Sequence, residues 1–301
     1  TSPGTACATV QAAVDKAVAN GAVYIAAGTY DETLAIDKGV KLIGAGADQT
    51  ILTAASGTAV TVNDFIVNDS YNVEMHDLAV ANAGEEGILN DNTLLISNSR
   101  IADNGDFGIG NTGTLTLTHS TISGNTAASG AALFNTGVAT LNAVTISGNN
   151  GTSSIVHTQT GGATSLTNVT ISGNPAGTAV LSSSGGSVTV LNSTISDNPD
   201  GGISNYATIT LQNSILAGNG TNCHTLPTSL GHNIDDGLTC GFNQTGDQSG
   251  TNPQIGPLSG DAPQVHLLLK GSPAIDAGSN SACPATDQRG QTRPFDGDNH
   301  S

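Results

Sequence analysis

The tetrapeptide Ile-Ser-Gly-Asn, each time preceded by Thr, recurs through the middle of the chain at Thr121 to Asn125, Thr145 to Asn149 and Thr170 to Asn174. It continues as Thr194-Ile195-Ser196-Asp197-Asn198 and fades through Ile215-Leu216-Ala217-Gly218-Asn219. Measured on the terminal asparagines from Asn104 to Asn219, the steps are 21 to 25 residues. A unit of that length cannot bury an apolar side alone, so the period implies an array in which each unit rests on its neighbours.

Within a unit the signals are those of short strands. Leu115-Thr116-Leu117 is followed by a bend, by Thr121-Ile122-Ser123, by a Gly-Asn corner and by Ala132-Leu133-Phe134. Three strands per turn, stacked ~4.8 Å apart, make three parallel sheets around a dry core. The expected fold is all-β: a right-handed parallel β-helix, a three-sheet solenoid of about nine coils between Ala22 and Cys223. Composition agrees, because the 301 residues are 37% hydrophobic but only 3% aromatic, with no Trp. Val, Ile, Leu and Ala suit thin layers and one elongated core.

Residues 1–21 read as an N-terminal cap. Val10, Ala13, Val14, Ala17 and Val18 fall on one helical stripe that Asn20-Gly21 ends. Such a helix would close the open apolar end of the stack. Residues 22–223 form the solenoid, and 224–301, rich in Gly, Pro, Asp, Asn and Gln, read as a loop-rich C-terminal cap or flank on the last coils. Of four cysteines, Cys223 and Cys240 flank a polar segment 17 residues apart, and closing that loop would add roughly 3 kcal/mol. They are the expected disulfide. For Cys7 and Cys283 both a mutual bridge and free thiols remain open. An even cysteine count in a Lys-poor chain favours an extracellular setting. The start at Thr1, without a signal-like apolar segment, reads as a mature or a trimmed chain.

Seven Lys and Arg against 24 Asp and Glu give a net charge of −17, a repulsive field for nucleic acid and for anionic membranes. No apolar run reaches the length of a membrane span.

Two stretches carry a family resemblance. Ala8-Thr-Val-Gln-Ala-Ala-Val14, Ala27-Gly-Thr-Tyr30 and Leu42-Ile-Gly-Ala-Gly46 resemble the entry of the pectin-lyase-like β-helix superfamily. Gly271-Ser-Pro-Ala-Ile-Asp-Ala-Gly278, Asp287-Gln-Arg-Gly290 and Arg293-Pro294 resemble the end of bacterial surface proteins of the choice-of-anchor Q type. The resemblance implies a surface protein, and a partner for Cys283 in a further Cys of the family's usual ending.

Four groups of residues are candidates for function. Asn98 and Asn104 lie six apart, as do Asn168 and Asn174, Asn192 and Asn198, and Asn213 and Asn219; turn chemistry makes such a column an amide ladder. Asp77 and His119 replace the first Asn in two coils, and Ala143 replaces it in a third. Asp77, Asn98 and His119 would then sit on consecutive coils about 5 Å apart, with Arg100 beside them and His76 and Asp64 near. Carboxylate, imidazole and guanidinium are the groups that proton abstraction at a sugar C5 requires, so a polysaccharide lyase, epimerase or hydrolase would use Asp77, Arg100 and His119. Calcium would have to bridge a uronate to so acidic a chain.

Outside that cluster, Thr121, Thr145, Thr170 and Thr194 form a column beside a Ser column, with Ile122, Ile146, Ile171 and Ile195 pointing inward between them. A flat hydroxyl array would order water, as in an ice-binding protein, or line up with a glycan; it is also simply a soluble sheet face. Asp296, Asp298 and Asn299 offer the oxygen ligands calcium takes, although an acidic tail has the same composition. Tyr71, Phe107 and Tyr206 would serve as local stacking surfaces for sugar. The leading expectation is a non-catalytic extracellular β-helix with an adhesive, glycan-binding or structural role. It needs no cofactor, admits calcium, and takes as partners a polysaccharide or cell-surface glycan, or further copies of itself.

Overall fold

The computed structural model describes residues 7–64 and 72–293. Over them the chain winds as a parallel β-helix. A representative turn contributes Thr93–Ser97 to a first face, bends, contributes Arg100–Ala102 to a second, and crosses to Ile109–Asn111 on a third. The third face is a sheet of eight strands, from Leu34–Ile36 to Ile203–Asn205, one per turn.

Register between turns is strict. Leu42, Met75, Ile96, Leu117, Leu141, Leu166, Val190 and Leu211 stand in one vertical file, each the Cα partner of the next. All eight are buried. Full burial of such side chains is worth roughly 1.5–3 kcal/mol each. Alternation along each strand, apolar inward and polar outward, is what lets files of like residues form.

Two corners per turn depend on left-handed backbone. At the first stand Asp77, Asn98, His119, Ala143, Asn168, Asn192, Asn213 and His232, with φ from +46° to +58°. This bend is tight enough that three turns run the first and second faces as single ten-residue strands, Thr114–Ser123, Val138–Ser147 and Ala163–Ser172. At the second corner stand Asn82, Asp103, Gly124, Gly148, Gly173, Asp197 and Gly218, with φ from +56° to +68°. The Ser-Gly-Asn motif is therefore a corner signature: its Gly takes the conformation an L side chain resists, and Asn or Asp substitutes where Gly is absent.

The asparagine after that corner points inward. Asn104, Asn125, Asn149, Asn174 and Asn198 are buried, and each Nδ2 donates to the Oδ1 of the next, at 2.8, 2.8, 3.1, 3.1 and 2.9 Å, the last bond ending on Asn219. The expected amide ladder runs from rung to rung through this second asparagine; in the first-corner column Asn213 Nδ2 donates to Asn192 Oδ1 at 3.3 Å. The first of each pair, at the left-handed corner, projects outward. A second ladder on the third face joins Asn90, Asn111 and Asn135 at 2.6 and 2.7 Å. Its signal, an Asn closing three successive third-face strands at steps of 21 and 24 residues, was available in the sequence.

The N-terminal helix is shorter than its stripe: it spans Val10–Lys16, because Ala17 is already extended and Val18 is 76% exposed. Val10 and Val14 close the core. The Gln11 amide pairs with both backbone groups of Ala35, accepting from its N–H at 2.9 Å and donating to its C=O at 3.1 Å, so that it replaces a preceding strand at the sheet edge. The Glu32 carboxylate accepts from the N–H groups of Val10 and Gln11 at 2.7 and 2.9 Å.

At the other end the ladder runs past residue 223, through Thr228–Ser229 and Ile234–Asp235 to Gln248–Ser249. Cys223 and Cys240 are bridged. Beside them Asp235 is buried, its Oδ1 accepting from Asn222 Nδ2 and Gly237 N and its Oδ2 from Cys240 N. Cys7 and Cys283 are free. Cys7 precedes the helix at the first turn, whereas Cys283 follows Ala282, which is bonded to Asn192 seven rungs away. That is roughly 30 Å, against the ~7 Å a disulfide spans. No helix among the described residues is long and apolar enough to cross a membrane.

The C-terminal segment departs most from expectation. Instead of sitting on the last coils alone, it folds back along the side of the solenoid. A hairpin of Ile255–Ser259 and Val265–Leu268 is followed by a loop that reaches Gln288, whose amide donates to the Val144 carbonyl at 3.1 Å.

Candidate functional site

The first corner and the second face together form one side of the solenoid, and the C-terminal segment divides it. Downstream of Ala143 this side is covered. Thr145 Oγ1 donates to the Gln264 carbonyl at 2.7 Å, Thr170 Oγ1 to Gln288 Oε1 at 2.8 Å, and Ser172 Oγ meets His266 Nε2 at 2.9 Å. Thr145 and Thr170 are consequently 0% and 2% exposed. The regular hydroxyl array expected from the sequence is therefore not a solvent face, and it offers no ice-ordering surface at these rungs. Thr121 and Thr194 are half-buried. The inward file Ile122, Ile146, Ile171 and Ile195 is as expected.

Upstream the side is open. Asn98 and His119 are exposed and Asp77 is half-buried, one to a rung. Their backbones are ~4.8 Å apart, which leaves Asp77 and His119 about 10 Å apart by two rungs. An acid–base pair needs ≈ 2.6–3.2 Å, and among the described residues no hydrogen bond or ion pair joins Asp77 to His119. Arg100 belongs to the next column, between Ala79 and Thr121 on the second face. Its Nε lies 3.9 Å from Asp48 Oδ1 and its Nη1 3.8 Å from Asp103 Oδ2, a loose surface arrangement of little energetic weight. The expected catalytic set thus resolves into a row of separate contacts. Thr121 Oγ1, beside Arg100, is closed off from solvent with no hydrogen-bond partner among the described residues.

His76 is engaged elsewhere. Its Nδ1 meets Ser97 Oγ at 2.7 Å and its Nε2 meets Glu74 Oε2 at 3.1 Å, while Lys41 Nζ lies 2.8 Å from Glu74 Oε1. The Lys41 hydrogen bond outweighs burial and, with His76, holds the Glu74 carboxyl below its usual range. This is a cross-rung network that pins three turns of the first face. Asp64 is exposed and makes no contact with Asp77 among the described residues. A depression lined by Asp31, Glu32, Thr33, Ala54, Ala55 and Ser56 lies near the N-terminal cap, and its Glu32 is spent on the helix.

Aromatic residues form a file on the third face. Phe107 stacks on Phe134 with centroids 5.0 Å apart, and Phe134 on His157 at 5.6 Å. Burial lowers the His157 pKa. Phe107 is thus remote from the open corner, and Tyr206 stands 83% exposed near the end of the third face. Tyr71 and the calcium candidates Asp296, Asp298 and Asn299 lie outside the described residues. No group of three His, Cys, Asp or Glu able to hold a metal ion occurs among the described residues.

Residues 63–221 match the family described as "Right handed beta helix region". Among solved structures, the pectin methylesterase from Aspergillus niger in deglycosylated form is similar at 18% identity and a TM-score of 0.51, over 74% of this chain and 84% of that one. A second form of that enzyme, carrying an N-acetylglucosamine stub, gives 0.52 at the same identity and coverage. An alginate lyase from Paenibacillus sp. str. FPU-7 gives 0.47 at 14% identity, over 74% of this chain and 96% of that one. At these identities the likeness is one of fold. No curated protein matches the sequence.

Proposed function

The chain belongs to the right-handed β-helix family, and on that scaffold we propose that it is an extracellular glycan-binding protein whose ligand lies along the open rungs at Asp77, Asn98 and His119. The observation that carries the reading is their spacing: three outward polar side chains, one per ~4.8 Å rung, suit an extended polymer laid along the axis better than a single reacting bond. Arg100 extends the row on the second face. A fold shared with a pectin methylesterase supports a glycan as ligand. The net charge of −17 favours a neutral glycan over a uronate, which would need calcium between two negative surfaces. The Cys223–Cys240 bridge supports an oxidising compartment, and the ending from Gly271 to Arg293, similar to that of choice-of-anchor Q surface proteins, supports a place at the cell surface.

Affinity electrophoresis in gels containing xylan, β-glucan or galactomannan, with pectate and alginate in the presence and absence of calcium, tests the reading. At least one neutral polysaccharide should retard the protein, and Asn98→Ala and His119→Ala should each weaken retardation about tenfold, as loss of a hydrogen-bonding partner does. Retardation by none of them, or retardation indifferent to both substitutions, refutes it. Release of reducing or unsaturated ends would instead place chemistry at these residues.

A further inference from the structure

The downstream half of the same side is filled by the chain itself. Segment 255–293 lies along the first-corner column, and the corner residues hold its main chain rung by rung. Asn213 Nδ2 donates to the Ser279 carbonyl at 3.0 Å, Asn192 Nδ2 to the Ala282 carbonyl at 2.8 Å, and Asn168 Nδ2 to the Thr286 carbonyl at 3.1 Å. Gln288 reaches furthest, bonding both Thr145 and Thr170. One rung further up the same column stands His119, then Asn98 and Asp77, where no residue of the segment is bonded among the described residues. The corner column is therefore one track of rung-spaced polar groups, half filled by peptide and half open.

The segment is attached differently from everything beneath it. None of its residues belongs to the hydrophobic core, whose last member is Phe242. Leu267, Leu268 and Leu269 face solvent. Its hold is polar, made of bonds that water can replace on release, so each contributes little net stability. The solenoid underneath is complete without it, since the file of Ile122, Ile146 and Ile171 and the asparagine ladder lie on the inner side of the backbone. Elements with few buried apolar contacts are the ones that open separately from a core.

We propose that segment 255–293 is an autoinhibitory strap, which peels from the solenoid as a unit and, while seated, confines a ligand to the open upstream rungs. The identity of the ligand rests on the glycan reading above; the opening of the strap does not. Release would expose Asn168, Asn192 and Asn213 in line with Asn98, lengthening the track by the rungs the strap now occupies.

Native-state hydrogen exchange on the full chain, wild type and Gln288→Ala, tests this, together with the electrophoresis described above. Amides of 265–288 should exchange at least 100-fold faster than those of the strands around Ile122, Ile146 and Ile171, as expected of a unit with its own opening equilibrium. Gln288→Ala should accelerate the strap about tenfold and leave those strands unchanged, and it should bind the retarding polysaccharide about tenfold more tightly. Thr170→Val, which removes one of the same bonds from the solenoid side, should act in the same direction. Strap amides that exchange in step with the solenoid strands overturn the proposal, as does a polysaccharide that binds wild type and both variants equally. If no polysaccharide binds any form, the glycan reading falls, and the strap stands or falls on exchange alone.

Discussion

Replacing Asn149 by Ala should weaken the protein far more than any change at an outer asparagine. Asn149 is fully buried, and its Oδ1 accepts from the Asn125 backbone N–H at 3.1 Å and from Asn125 Nδ2 at 2.8 Å. Its own Nδ2 donates to Asn174 Oδ1 at 3.1 Å and to the Ile122 carbonyl at 3.0 Å. After truncation the Asn125 amide still reaches the carbonyls of Ile101 and Ser123, and Asn174 Oδ1 still receives the Asn149 backbone N–H. The group left with no acceptor is the Asn125 N–H. One orphaned buried donor costs about 1–3 kcal/mol, and with the broken ladder and the small void the total is about 3 kcal/mol. For a chain of 301 residues that is a fall in Tm of roughly 5 °C. Asn98→Gly, at an exposed left-handed corner, should change stability by less than about 1 kcal/mol. Paired thermal and urea melts give both numbers. An Asn149→Ala loss no larger than that of Asn98→Gly would refute the view that the inner ladder, rather than turn propensity, makes the repeat's asparagine indispensable.

Two left-handed glycines separate backbone strain from crowding. Gly148→Ala meets no atom within 4 Å at φ +64° and should lose about 1–2 kcal/mol in a urea melt, whereas Gly130→Ala, at φ +74° with its new Cβ 2.9 Å from the Leu133 carbonyl oxygen, should lose distinctly more. Because the Glu74 pKa is lowered from 4.5, its contribution is present above that pH and disappears as pH falls through the depressed value. Glu74→Gln should therefore flatten the acid limb of a stability–pH curve below about pH 4.5, leaving the limb near neutrality parallel to wild type. Removing the bridge by Cys223→Ser with Cys240→Ser should lower stability by roughly 3 kcal/mol in a urea melt, and an unchanged midpoint would contradict the loop-closure argument.

Much of the fold was legible because its contacts repeat. A residue such as Ile122 meets Ile146, which meets Ile171, so a contact between turns leaves a period of 21 to 25 residues in the chain. The Gly of Ser-Gly-Asn and the Asn before it at Asn98, Asn168, Asn192 and Asn213 announced two left-handed corners for the same reason. The cysteine pair was legible from local spacing. Which of the two recurrent asparagines turns inward was not, since both carry the same period and only the handed backbone at each corner aims them. His76 read as a member of the site and proved to be tied to Ser97 and Glu74, because its partners come from a neighbouring rung and from an outward side chain with no repeat of its own.

Local pattern and period by themselves determined that the chain must stack, with what inner files, and where it must bend. Tertiary structure alone decided which outward surface is free. The strap meets Thr145, Thr170 and Asn168 across more than 110 residues, through side chains such as Gln288 that occur once. A single long-range contact has no periodic echo, so Thr121 and Thr145 look equivalent in the sequence, while in the folded chain one borders the open row and the other is sealed beneath the strap.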